Sequence, residues 1–241
     1  MAVRLRQPEI IQQMQRLLLA WYAAHQRDLP WRRTSDPYHI LVSEIMLHQT
    51  QVDRVAPKFE QFIAKYPTVH ALAEAPLAEL RKIWRPLGYN YRPARLRGIA
   101  REAIAKYNGR IPDRHDDLMA MDGVGRYTAG AILSFAYHQD APTLDTNVAR
   151  VLARVFGVRG DLAKAPAQKR LWRLAQQAIP SGRSSDFNQG MMDLGATICV
   201  ARAPRCAVCP IRACCRSAPI FAQAAAPRQR QRRRQPAVEV S

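Results

Sequence analysis

The chain has 241 residues, 48% of them hydrophobic, and its 37 lysines and arginines against 19 aspartates and glutamates give a formal net charge of +18. That is apolar material for one large domain or two modest ones, and no run approaches the ~20 consecutive apolar residues of a membrane-spanning helix, which argues against a membrane protein. An excess of base over acid on this scale predicts a polyanionic partner, nucleic acid first; genome composition can explain why only six of the basic residues are lysine, but not the excess itself.

The first segment, MAVRLRQPEIIQQMQRLLLAWY, sets Met14, Leu17, Leu18 and Trp21 at i, i+3, i+4 and i+7. This is an amphipathic helix rather than an export signal. The expected location is the cytoplasm, in association with the nucleoid, where thiols stay reduced. Similar stripes run through 36–55, 70–84, 92–107, 126–137 and 146–157, with almost no strand-like alternation. The predicted fold class is all-α.

In DPYHILVSEIMLHQTQV, Asp36 and Pro37 read as an N-cap and first helical residue. Leu41, Glu44, Ile45, His48 and Val52 then share a face. A carboxyl on an apolar stripe loses solvation, so its pKa rises and it becomes a proton donor near neutrality; the plainer reading is a structural glutamate held by backbone or arginine. Residues 113–137, DRHDDLMAMDGVGRYTAGAILSFAY, predict a helix, a tight turn at Gly123-Val124-Gly125, and a second helix from about Arg126. The free N–H groups and positive dipole end at such a start suit a phosphate. G-V-G alone fits an ordinary glycine-capped hairpin equally well, and the basic charge tips the reading to phosphate. In APTLDTNVARVLARVF, Asp145 directly precedes an amphipathic helix, where capping by itself accounts for it.

All five cysteines, Cys199, Cys206, Cys209, Cys214 and Cys215, fall within seventeen residues. A disulfide knot, a zinc site or an iron–sulfur cluster would each gather sulfur in this way, and a reducing compartment weighs against the first. The last stretch, AAAPRQRQRRRQPAVEVS, lacks apolar spacing and predicts a disordered basic tail over 221–241.

Together, SEIMLHQTQV, LMAMDGVGRYTAGAI and LDTNVARVLARVF resemble the helix-hairpin-helix DNA glycosylases, and among them the adenine glycosylases that act on mismatched guanine, the MutY family. The cysteine spacing C-x6-C-x2-C-x5-C is that of the [4Fe-4S] cluster in endonuclease III and MutY-type enzymes. A zinc ribbon would show two C-x-x-C knuckles, and this chain has one. The resemblance implies a six-helix barrel over 32–138 carrying the hairpin, an iron–sulfur domain built from 1–31 plus 139–220, and a DNA cleft between them. It makes Cys199, Cys206, Cys209 and Cys215 the cluster ligands, with Cys214 the spare. It makes Glu44 the acid that protonates a flipped base and helps activate water, and Asp145 the carboxylate that stabilises the oxocarbenium-like sugar. It assigns DNA contacts to Gln49, Tyr89, Gly123, Val124, Gly125, Tyr127 and Thr128, and has Asn147 support Asp145.

The implied partner is double-stranded DNA with a mismatched or damaged pair, bound by a monomer. Bifunctional relatives place a Schiff-base lysine where this chain has Tyr127, and no lysine lies between Lys106 and Lys164. A monofunctional, hydrolytic enzyme is therefore expected. The chain departs from the adenine enzymes in reading His48-Gln49 where two glutamines are usual, and in stopping at Ser241 where they continue into a domain that reads oxidised guanine. Tyr127 and Asn90-x-Arg92 are similar to the thymine/uracil glycosylases. The first expectation is adenine opposite guanine or 8-oxoguanine, the second thymine or uracil opposite guanine. A non-catalytic DNA-binding protein with a redox-sensing cluster would use the same hairpin, charge and cysteines, but would not need both Glu44 and Asp145.

Overall fold

The computed structural model describes residues 5–225 and is all-helical, with no strand among the described residues. In chain order the helices are α1 (Gln7–His25), α2 (Pro37–Leu47), α3 (Val52–Lys65), α4 (Val69–Glu74), α5 (Leu77–Trp84), α6 (Arg92–Tyr107), α7 (His115–Ala120), α8 (Arg126–Phe135), α9 (Thr146–Phe156), α10 (Ala165–Ala178), α11 (Ser184–Thr197) and α12 (Ala218–Ala225). No described helix is long and apolar enough to cross a membrane.

The apolar stripes are buried in two cores. One lies among α2–α8, where Phe62, Leu72, Leu80, Trp84 and Leu96 are fully buried and Phe62 meets Trp84 edge-to-face at 5.9 Å. The other lies among α1, α9, α10, α11 and the cysteine loop, around Met14, Leu18, Leu171 and Leu194. Truncating any of these side chains to alanine would cost about 2–5 kcal/mol. Helix α11 packs on α1 and α9 and also reaches α8 of the first core. A buried polar group completes this junction: the Asn188 amide donates to Ser134 Oγ at 3.0 Å and to the Ala141 carbonyl at 2.8 Å, while its oxygen accepts from Thr143 N–H at 3.2 Å. With every partner satisfied, such a group fixes how the two cores meet rather than weakening the interior.

The local signals act as expected at several ends. Asp36 accepts from the Tyr38 and His39 N–H groups at 2.7 and 3.3 Å, with Pro37 in the first helical position. Helices α6 and α9 coincide closely with the stripes at 92–107 and 146–157. Two stripes are broken instead. The 36–55 stripe becomes α2 and α3, separated by a loop in which Gln49 has φ 56°. The 70–84 stripe splits at Ala75-Pro76, because proline removes a helix N–H and disfavours helical backbone in the residue before it. Counted as one broken helix, α4 and α5 leave six helices between α2 and α8. Helix α12 runs five residues into the stretch read as tail, and the arginine run 228–234 lies outside the described residues.

Candidate active site and cysteine cavity

A cleft of ≈1110 Å³ opens between the two cores, and Glu44, His48, Tyr127, Asp145 and Asn147 all line it. Glu44 enters from the middle of α2 on the apolar face that builds the first core, and is 3% exposed. Burial pushes its carboxyl up to about 7, with the nearby Asp145 charge adding to the rise while the Tyr127 hydroxyl and Arg32 oppose it. Its Oε2 has no hydrogen-bond partner in the protein, leaving a carboxyl oxygen free within the buried wall of the site.

Asp145 is held quite differently. As N-cap of α9 it accepts from Val148 N–H at 2.6 Å and from the Asn147 amide at 3.1 Å. Burial raises its pKa from the ordinary value, while those bonds, and Arg150 through space, oppose the rise. Helix-end donors aimed at one carboxylate favour its charged form. The two acids thus share a cleft with opposite surroundings, one in an apolar wall with an oxygen left unpartnered, the other held by donors. Asn147 also accepts from Arg150 at 2.8 Å, and Arg150 is itself tied to the Gly195 carbonyl at 2.8 Å. A Cβ on Gly195 would stand 2.7 Å from Asn147 Cβ and 3.2 Å from its backbone, so only glycine allows α11 to back the Asp145–Asn147 turn this closely.

Tyr127, partly buried in the first turn of α8, sets its hydroxyl near Glu44, and burial together with the Glu44 and Asp145 charges holds that hydroxyl well above the usual range. The ring of His48 lies 6.3 Å from that of Tyr127. Burial, with the Arg92 and Arg95 charges adding, pushes the His48 pKa down, so near neutral pH it is an uncharged imidazole facing the cleft.

The hairpin forms between α7 and α8. Gly123 has φ +89°, and a Cβ there would meet Arg95 Cδ at 2.4 Å, whereas the space before Gly125 is open. The Val124 side chain is buried and its N–H is used within the turn, bonded to the Met121 carbonyl at 3.1 Å. Among the described residues, the N–H groups of Gly125, Arg126 and Tyr127 have no acceptor. Thr128 is 2% exposed, so its side chain faces the interior. Gln49 and Tyr89 stand on the cleft rim, both exposed and both left-handed, at φ 56° and 50°.

Sequence reasoning named Arg92 only as part of Asn90-x-Arg92 and missed that it joins those two loops. Arg92, 2% exposed, donates to the carbonyls of Ile45, Met46 and His48 at 3.0, 3.0 and 2.6 Å, to those of Leu87 and Gly88 at 3.2 and 3.1 Å, and to Thr50 Oγ1 at 3.0 Å. It thereby satisfies the orphan carbonyls at the end of α2 and braces the Gln49 and Tyr89 loops against each other. Also unforeseen was the pair Arg27 and Arg32, which reach the buried Asp193 at 2.7 and 2.8 Å and line the cleft.

Cys199, Cys206, Cys209 and Cys215 line one shared cavity with Arg154. Cys214 is not among its walls: it is 3% exposed and its thiol donates to the Ile211 carbonyl at 3.3 Å. No disulfide joins any of the five. Burial, with the neighbouring cysteines adding, pushes the Cys209 thiol up to about 12, and a bound cation would draw it to the thiolate. Among the described residues, no three His, Cys, Asp or Glu side chains are gathered tightly enough to hold a single metal ion.

Residues 42–177 match the profile of the HhH-GPD superfamily base excision DNA repair proteins. Human adenine DNA glycosylase is 42% identical over 83% of this chain, which spans only 38% of that relative. Thymine-DNA glycosylase of Aeropyrum pernix is 37% identical over 85% of this chain and 94% of its own length. Among solved structures, a thermostable thymine-DNA glycosylase superposes with a TM-score of 0.82 at 33% identity, covering 88% of this chain and 98% of that one.

Proposed function

Because the chain belongs to the HhH-GPD superfamily of base excision DNA repair proteins, we propose that it is a monofunctional DNA N-glycosylase. It acts as a monomer on double-stranded DNA and hydrolyses the glycosidic bond of a mismatched adenine opposite guanine or 8-oxoguanine. The reading divides the chain into a barrel over 32–138 and a cluster domain formed by 1–31 and 139–220, with DNA in the cleft between them.

The observation that carries the proposal is the unlike pair of acids in one cleft. A flipped base leaves poorly as an anion, and Glu44, still protonated near pH 7, donates to its ring nitrogen as the bond lengthens. Positive charge then builds on the sugar, where Asp145, held as carboxylate by Val148 and Asn147, stabilises it. Glu44, now ionised, takes a proton from the attacking water. Gln49 and Tyr89 enter the duplex where the base has left, and the free N–H groups at the start of α8 hold a phosphate. The four cavity-lining cysteines suit a [4Fe-4S] cluster: they share one cavity, and the fifth, Cys214, lies outside its walls. When bound, such a cluster supplies a rigid tie across the 199–215 loop.

Thymine or uracil opposite guanine is the second reading. It is supported by the near-complete span shared with the Aeropyrum pernix thymine enzyme and by His48 beside Tyr127.

The expected product is an abasic site in an intact strand. Nothing on α8 offers the amine a Schiff base needs, since the helix has no lysine. Borohydride added during turnover is expected to trap no more covalent protein–DNA adduct than a no-enzyme control, with strand cleavage only after alkali. Robust trapping would overturn the hydrolytic assignment.

A further inference from the structure

Two tyrosines of the cleft lining, Tyr89 and Tyr91, each have an arginine guanidinium over the ring. Tyr89 and Tyr91 are 47% and 58% exposed, and their rings meet edge-to-face at 6.4 Å. The Arg92 guanidinium lies 5.1 Å from the Tyr89 ring centroid, and that of Arg95 lies 5.5 Å from the Tyr91 ring. Neither arginine is loosely placed. Arg92 is locked by the carbonyls at the end of α2 and in the Tyr89 loop, and the Arg95 stem packs on Gly123 of the hairpin. The two rings are thus fixed at one side to the helix that carries Glu44 and at the other to the turn with free backbone donors.

Large exposed rings held in place by neighbouring guanidinium groups are preorganised for stacking, since the entropy of fixing them is already lost. Every nucleobase presents a π-face to such a surface, and the exposed charge of Arg95 complements the phosphate that accompanies each base.

We propose that Tyr91 is a second base-stacking residue. With Tyr89 it forms a two-ring platform for the partner base left unpaired opposite the flipped nucleotide, and Arg95 takes the adjoining phosphate. This deepens the glycosylase reading and rests on it. Stacking is tolerant of base identity, so the platform supplies affinity for an opened pair rather than the choice of which base is cut.

The test compares binding of wild type, Tyr91→Ala, Tyr91→Leu and Tyr91→Phe to two duplexes of one sequence by fluorescence anisotropy. One duplex is fully paired, and the other carries a tetrahydrofuran abasic analogue opposite guanine. Wild type should prefer the abasic duplex. Tyr91→Ala should lose roughly ten-fold on it and change by no more than about two-fold on the paired duplex, while Tyr91→Phe behaves as wild type. Tyr91→Leu keeps apolar bulk without a π-face and should fall with alanine, so the comparison with phenylalanine decides the matter even if the alanine variant folds poorly. Unchanged affinity in the alanine and leucine variants, or equal loss on both duplexes, would overturn the platform. A wild-type protein with no preference for the abasic duplex would instead overturn the glycosylase reading.

Discussion

Replacing Glu44 by glutamine is expected to lower single-turnover base release by about 10²–10⁴-fold, the range over which a positioned general acid acts, with affinity for an abasic-analogue duplex retained. Glutamine keeps the shape of the side chain on α2 but has no proton to give. The pH profile carries the same signature. With its carboxyl pushed up to about 7 by burial, Glu44 loses its proton as pH rises through 7, so wild-type release should fall on the alkaline side. Stability moves in the same window. The unfolded carboxyl titrates near its ordinary 4.5 and the folded one near 7, so the native state binds the extra proton between them, and burying Glu44 becomes costlier as pH rises through that range. Glu44→Gln should therefore melt higher than wild type at pH 8 and not at pH 5. The full effect is on the order of 3 kcal/mol for a shift of this size. Unchanged release would assign the proton to another group; release that still falls above pH 7 in the variant would detach the profile from Glu44.

Asp145→Asn is expected to cost about 10²–10³-fold in base release, the usual loss when one preorganised electrostatic contact to a developing charge is removed. Two roles meet in this residue and the substitution separates them. Asparagine caps a helix as well as aspartate does, so α9 should keep its first turn and thermal stability should change little. Only the negative charge is removed from beside the sugar. An alanine at the same position would also remove the acceptor for Val148 N–H and mix the two losses. If Asp145→Asn releases base at the wild-type rate, Asp145 is a cap and nothing more. The double variant with Glu44→Gln should fall well short of the product of the two losses, because acid and carboxylate serve one transition state.

The residues of the site that were legible in the sequence are those whose chemistry conflicts with their place in a pattern. Glu44 stood out because a carboxyl interrupted an apolar stripe, and it is 3% exposed. Asp145 was visible as a cap because it stood one residue before a strong 3.6-residue repeat. The resemblance carried by the cysteine spacing set Cys214 apart from the other four, and Cys214 is also absent from the cavity walls. What stayed hidden depends on contacts distant in sequence. Arg92 looks like any arginine in a basic chain until the fold places six oxygens around it, four of them more than forty residues away. The break between α2 and α3 follows from the same contact, since nothing in HQTQ by itself demands it. Helix α10 was passed over although Leu171, Leu174, Ala175 and Ala178 recur at helical spacing and are buried, while the apolar face of α11 is interrupted by the buried polar Asn188 and Asp193. Gly195 shows its importance only once Asn147 is packed against it.

The measurement that bears most directly on the account is single-turnover base release by cluster-loaded protein, from four labelled duplexes carrying adenine opposite guanine, adenine opposite 8-oxoguanine, thymine opposite guanine and uracil opposite guanine. Alkali would reveal the abasic sites. The predicted result is release of adenine from one or both of the first two, with the strand intact until alkali is added. Release of thymine or uracil alone would contradict the base assigned and direct the next substitutions to His48 and Tyr127. Release from none of the four, by protein that still binds DNA, would contradict the enzyme itself.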